Sequence, residues 1–194
     1  MSKKDLKSLS VKELGELFPV QLSDFSPGWK KLFQFEKDKI LNLFDKGELK
    51  GKEHIGSTAI PGMKAKPTID ILLEIEKSTG TNRIISMLER IGYEYISKPE
   101  NPPPHMMFAK GYSSEGYSGQ TFHIHVRYPG QQDEILFRDY LINNLEARTE
   151  YQNLKLSLAA QTPDNRELYT LGKTSFVKSI VRMAKEEDYQ GRHI

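Results

Sequence analysis

Two short segments hold most of the residues whose type and spacing could do chemistry. In the first, Glu53-His54-Ile55-Gly56-Ser57-Thr58-Ala59-Ile60-Pro61-Gly62 leads into Lys64-Ala65-Lys66-Pro67-Thr68-Ile69-Asp70-Ile71-Leu72. A turn at Gly56, Ser57 and Thr58 offers backbone N–H groups and hydroxyls, which suit a phosphate. Glycine and serine are also ordinary turn residues, so the turn gains meaning only from its closeness to Asp70. That carboxylate lies within an apolar run, where even a neutral polar group costs roughly 2–7 kcal/mol if left unpaired. A metal, backbone donors or Lys66 would compensate it. In the second segment His123 and His125 flank Ile124. Alternate residues of a strand project to one side, so both imidazoles face the same way. If strand pairing adds Asp70, the three make a 2-His-1-carboxylate set. Otherwise the histidines pack at a sheet edge or hydrogen-bond Asp70 without metal. Imidazole with carboxylate favours zinc or manganese, whereas magnesium prefers oxygen ligands. Any of the three divalent ions is a cofactor to consider. Among the basic residues, Lys66 precedes the acid-bearing strand, and Arg138 could grip a phosphate through two N–H groups. Arg127, Lys155 and Lys173 are further anion-binding candidates, for most of which a solvated helix face is the simpler reading.

These groups need elements to hold them. Thr68–Glu76 is β-rich and nearly unbroken in apolar residues, as in a strand covered on both faces. Lys52–Gly56 reads as a short strand before the turn. Tyr93–Ser97, His105–Lys110 and Gln120–Tyr128 read as further strands, the last two joined by a Gly/Ser-rich loop at Gly111–Gly119. Helical spacing marks Leu6–Leu17, a stretch beginning at Ser26-Pro27 and running through Phe44, and Thr81–Ile91. It returns at Asp133–Glu146, Thr149–Ala160 and Asn165–Lys185. The run Lys98-Pro99-Glu100-Asn101-Pro102-Pro103-Pro104 excludes regular structure there. Loops this long either carry function or merely connect. Helix, then strands around one helix, then helices again predicts an α+β fold with a mixed β-sheet flanked by helices and C-terminal helices packed on it. The expected layout is an N-terminal extension over 1–21, a single domain over 22–189 with a helical cap from about 131, and a tail over 190–194.

The ordered motifs resemble the GrpB-like family, a branch of the nucleotidyltransferase superfamily. The resemblance runs from Pro27-Gly28-Trp29 through the Gly56–Asp70 segment and His123-Ile124-His125-Val126. It continues in Phe137-Arg138-Asp139-Tyr140-Leu141, Tyr151-Gln152-Asn153-Leu154-Lys155 and Tyr169-Thr170-Leu171-Gly172-Lys173. It implies a nucleotidyltransferase-like sheet, with Gly56, Ser57 and Thr58 at a phosphate and Asp70 as the catalytic metal-binding acid. The superfamily pattern places a second acid at position 72, and this chain has Leu72. Glu74 falls on the same side but roughly 7 Å further along the strand, too far to substitute without rearrangement. The two-metal clamp of nucleotidyl transfer is therefore incomplete, and His123 and His125 offer replacement ligands.

Composition bounds the partners. The 194 residues carry 28 Lys+Arg against 26 Asp+Glu, a formal charge of +2 with neutral histidines. That balance disfavours long nucleic acid, which usually leaves a basic excess, but not a small phosphorylated ligand in a local basic pocket. With no cysteine, disulfides, thiolate metal sites and cysteine nucleophiles are excluded, which fits a reducing, cytoplasmic location. No apolar run approaches a membrane span. The expected function is binding of a nucleotide or phosphorylated small molecule, extending to metal-dependent nucleotidyl transfer. The alternative is a non-catalytic ligand-binding or regulatory module whose site is degenerate at Leu72.

Overall fold

A five-stranded sheet organises the computed structural model, which describes residues 6–97, 105–130 and 132–191. In chain order come α1 (Val11–Leu17), α2 (Gly28–Leu41), β1 (Leu49–Ile55), a 3-10 turn (Ser57–Ala59) and β2 (Thr68–Ile75). Then follow α3 (Thr81–Glu89), β3 (Glu94–Ile96), β4 (Met106–Ser113) and β5 (Gly116–Arg127). The chain closes with α4 (Asp133–Asn143), α5 (Leu145–Gln161), α6 (Arg166–Leu171) and α7 (Thr174–Gly191). Sheet order is β1-β2-β5-β4-β3. The β2–β5 pair is parallel and the other neighbours are antiparallel. The architecture is the expected mixed α+β one. Among the described residues no helix is long and apolar enough to cross a membrane.

Alternation along β2 separates two jobs. Ile69, Ile71, Leu73 and Ile75 face a core shared with Phe122, Ile124 and Val126 of β5 and with Trp29, Phe33, Ile40, Ile84 and Leu88 of α2 and α3. Each such fully buried side chain contributes roughly 1.5–3 kcal/mol. Asp70, Leu72 and Glu74 face the other way. On that side α4, α5 and α7 form a second core, in which Phe137, Tyr140, Leu141, Tyr151, Ile180 and Val181 close over Ile60 and Met63. One face is thus filled by apolar packing, and the other is left for a cleft beneath the helical cap.

Several boundaries differ from the sequence expectation. The N-terminal helical stretch is a 3-10 turn at Leu6–Ser8 followed by α1, whose start is fixed by a Ser10–Glu13 capping box. Gly111–Gly119 is not a loop: both strands run through it and leave a two-residue turn at Ser114 and Glu115. Gly111 adopts φ +92 where the β4–β5 register shifts between Lys110 and Tyr112, a bulge that re-aims Tyr112. The helix expected over Asn165–Lys185 is two helices parted at Gly172 and Lys173. Asn165 caps the first through the Leu168 N–H, and a Cβ on Gly172 would come within 2.5 Å of Leu158. The proline-rich run 98–104 lies outside the described residues.

Candidate functional site

The parallel pairing of β2 with β5 sets Asp70 opposite His123 and Leu72 opposite His125, so all four side chains share the cleft-side face. Asp70 Oδ1 lies 3.3 Å from His123 Nδ1 and 3.2 Å from His125 Nε2. One donor atom from each residue falls within 4.8 Å of the others, a separation compatible with one shared cation. Asp70 and His125 are about a quarter exposed, at 25% and 23%, so the group opens to the cleft. Burial pushes the Asp70 carboxyl up, but the hydrogen bonds and charges of His123 and His125 outweigh it and hold the group well below the usual carboxylate range. Burial pushes His123 down, against the opposing pull of Asp70.

His123 is held from behind. Its Nε2 is 2.9 Å from the Tyr112 hydroxyl, and Arg166 Nη2 donates to that hydroxyl at 3.3 Å. The phenol is where it is because of the bulge at Gly111. Buttressing of this kind fixes the ring plane and the tautomer of a ligating histidine. Gly56 has a specific reason to be glycine: it adopts φ +69, and a Cβ there would sit 2.5 Å from Asp70 Oδ2. The turn therefore lies directly against the carboxylate.

Asp70, His123 and His125 line a cleft of about 1100 Å³. Ser57, Lys66, Lys155, Arg166 and Lys173 line the same cleft. Lys155 is 1% exposed. Its Nζ donates to Ser57 Oγ at 3.1 Å and to the Lys64 carbonyl. Lys66 and Lys173 lie over the Tyr169 ring at 5.1 and 4.3 Å. Among the described residues none of these four cations pairs with a carboxylate. Burial lowers Lys66 and Lys155 to about 7 and Lys173 to about 8; neighbouring cations push the same way, and Asp70 opposes the shift at Lys66 and Lys173. Basic side chains this close together give that part of the cleft a positive character.

Other expected site residues are used differently. Arg138 lines neither this cleft nor the cavity next to it: it donates to Asp139, Glu53 and the His54 carbonyl at 2.7, 2.9 and 2.8 Å. It fastens α4 to β1 through Nε and Nη1. The Thr58 hydroxyl donates to the Thr68 carbonyl at 3.1 Å and lies 3.0 Å from His54 Nε2, so it braces the turn from inside. His54 stacks on Phe33 at 4.9 Å, on the face away from Asp70, and burial lowers it to about 4. Leu72 is fully buried and lines neither cavity. Glu74 accepts from the Gly130 N–H at 3.2 Å, and so belongs to a loop anchor. Lys155, an anion-binding candidate for which a solvated helix face was the simpler reading, is the most buried of the cations. Its signal was periodicity, since it follows Ala147 and Tyr151 at four-residue intervals along the buried stripe of α5. Arg166 and Tyr112 had no such signal, because a helix start and a bulge bring them in.

Comparison with known proteins places the chain in a family. Residues 19–183 match the family described as GrpB protein. The UPF0157 protein PA4798 of Pseudomonas aeruginosa is 38% identical over 167 residues, 85% of this chain and 67% of that protein. The UPF0157 protein YqkA of Bacillus subtilis is 33% identical over 180 residues, 91% of this chain and 50% of that protein, so the chain spans about half the length of YqkA. Among solved structures, the conserved protein GrpB from Enterococcus faecalis aligns with a TM-score of 0.73 at 31% identity, over 87% of this chain and 99% of that one. A match over most of the chain, in sequence and in structure, leaves one assignment: the chain belongs to the GrpB family.

Proposed function

We propose that the protein binds a nucleoside triphosphate through the lysine cleft and transfers its nucleotidyl group with the help of one divalent cation at Asp70, His123 and His125. The observation that carries this reading is the meeting of four unpaired cations, Lys66, Lys155, Arg166 and Lys173, with that trio in one cleft. A single ion fits the donor set, and two do not, because Leu72 supplies no ligand and lies outside the cleft. Bound there, the ion would act as a Lewis acid on a phosphoryl oxygen. The chain's own groups do the rest. Ser57 and the turn behind it receive a phosphate, and Lys155 holds the Ser57 hydroxyl in place. Lys66, Lys173 and Arg166 neutralise the departing phosphates, where preorganised charge is worth most. Tyr112 and Arg166 fix the His123 ring. An acceptor hydroxyl or amine forms its bond to the α-phosphorus as the bond to the pyrophosphate oxygen breaks. The acceptor's proton passes to water, leaving a nucleotidylated acceptor and pyrophosphate.

The buried Leu72 favours a second reading, in which the cleft binds its ligand without chemistry. Thermal melting with ATP, with and without Mn²⁺, separates the two, since a ligand stabilises the state it binds. Nucleotidyl transfer requires stabilisation that grows with Mn²⁺ and falls in Lys66→Ala/Lys173→Ala. Stabilisation indifferent to Mn²⁺ supports the binding module, and no shift at all refutes a nucleotide site.

A further inference from the structure

Beside the lysine cleft lies a second cavity of about 880 Å³. The two share Asp70 and His125 and no other lining residue. Their chemistry differs. The second cavity is walled by Ile55, Phe137, Val177 and Val181. Along one side α7 presents Lys178, Arg182 and Lys185, spaced so that they share a helix face. The acids across from them are largely engaged. Asp133 pairs with Lys185 at 2.6 Å and Glu134 with Arg127 at 2.6 Å. Lys178 and Arg182 have no carboxylate partner among the described residues, and Glu186, one turn past Arg182, is the remaining acid.

We propose that this cavity is the acceptor subsite, and that it takes a small molecule with an apolar body and an anionic end. The inference rests on the nucleotidyl-transfer reading. In-line displacement at phosphorus needs the nucleophile and the leaving group on opposite sides of the reacting atom. Two cavities whose linings share only Asp70 and His125 fit that relation: phosphates would leave toward the lysines, and the acceptor would approach from the α4–α7 side. Both spaces lie near the usual range for small-ligand sites, so neither needs to share an occupant. The apolar walls receive the acceptor's body. Lys178 and Arg182 hold its carboxylate or phosphate, which directs its hydroxyl or amine toward the α-phosphorus. That group forms the new bond to phosphorus and loses its proton to water as pyrophosphate departs.

The test uses 4-phenylbutyrate as an apolar anion, 4-phenylbutanol as its uncharged counterpart, and ATP with Mn²⁺. Each is titrated by calorimetry into the wild-type protein and into Lys178→Glu/Arg182→Glu, whose altered side chains are exposed. The expected result is at least tenfold weaker 4-phenylbutyrate binding in the variant, with 4-phenylbutanol and ATP affinities within twofold of wild type. Equal binding of the acid to both proteins, or none to the wild type, overturns the proposal. Loss of ATP affinity in the variant also overturns it, by making the cavity part of the nucleotide site. If the acid behaves as expected but ATP binds neither protein, the nucleotide reading fails and the acceptor role goes with it, while the cavity's preference for apolar anions stands.

Discussion

Replacing Lys155 by methionine should make the protein more stable and a worse receptor at once. Lys155 is 1% exposed, and burial lowers it from 10.5 to about 7. Each tenfold change in proton affinity is worth about 1.4 kcal/mol, so at pH 7 this burial costs the native state about 4 kcal/mol. Methionine fills nearly the same space without the charge. It leaves the Lys64 carbonyl without its buried partner, a loss of about 1–3 kcal/mol, whereas Ser57 faces the cleft and recovers water. The net gain is about 1–3 kcal/mol near neutral pH, or several degrees in Tm for a chain of this size. The pH dependence fixes the cause. Between pH 7 and 10.5 the unfolded lysine holds a proton that the native one has released, so wild-type stability rises with pH across that window. The advantage of Lys155→Met is therefore largest below pH 7 and shrinks to nothing, or reverses, by pH 10.5. ATP affinity falls ten- to a hundredfold over the same comparison, the worth of one charge-assisted hydrogen bond. Urea unfolding at pH 6, 8 and 10, alongside calorimetry with ATP, measures both effects. A variant that is less stable at pH 6 and binds ATP as well as wild type would refute the reasoning.

Three further outcomes follow from the same geometry. Gly56→Ala places a Cβ against Asp70 Oδ2 at a positive φ, so it should cost about 1–3 kcal/mol in chemical denaturation and weaken Mn²⁺ binding; unchanged values for both would remove the turn from the site. Tyr112→Phe deletes the hydroxyl behind His123 and should weaken Mn²⁺ binding ten- to a hundredfold with little change in ATP affinity without metal, whereas a purely structural tyrosine would change melting temperature alone. Because Lys155 and Lys173 titrate at about 7 and 8, a bound polyphosphate should draw protons onto them. ATP affinity should then drop at least tenfold from pH 7 to pH 9, with proton uptake visible as a buffer-dependent binding heat at pH 8, and a flat profile would mean that the lysines do not meet the ligand.

Much of the frame was legible because it rests on local rules. The apolar run of β2, the helical spacing of α2, α3 and α5, and the alternation of His123 and His125 each predict an element and its exposed face. The trio needed one more fact, the strand pairing that sets Asp70 beside His123, and no periodicity contains that. The errors were also physical. Gly111 looked like loop material, yet its positive φ makes a bulge inside a long hairpin. Arg138 suits a phosphate by type, but its Nη1 and Nε are engaged by Glu53 and Asp139. Lys155 suits both an anion site and a solvated helix face by sequence, and the structure buries it, which is rare for a lysine without a charged partner. It is buried against a hydroxyl and a carbonyl.

On the reading proposed above, one divalent ion at Asp70, His123 and His125 works together with the lysine cleft on a single nucleotide. Calorimetric titration of ATP into the wild-type protein and into His125→Ala, each with and without Mn²⁺, tests it most directly. Mn²⁺ should tighten ATP binding at least tenfold in the wild type and not in His125→Ala, while the two proteins bind metal-free ATP alike. The same Mn²⁺ response in both proteins, or none in the wild type, would contradict it.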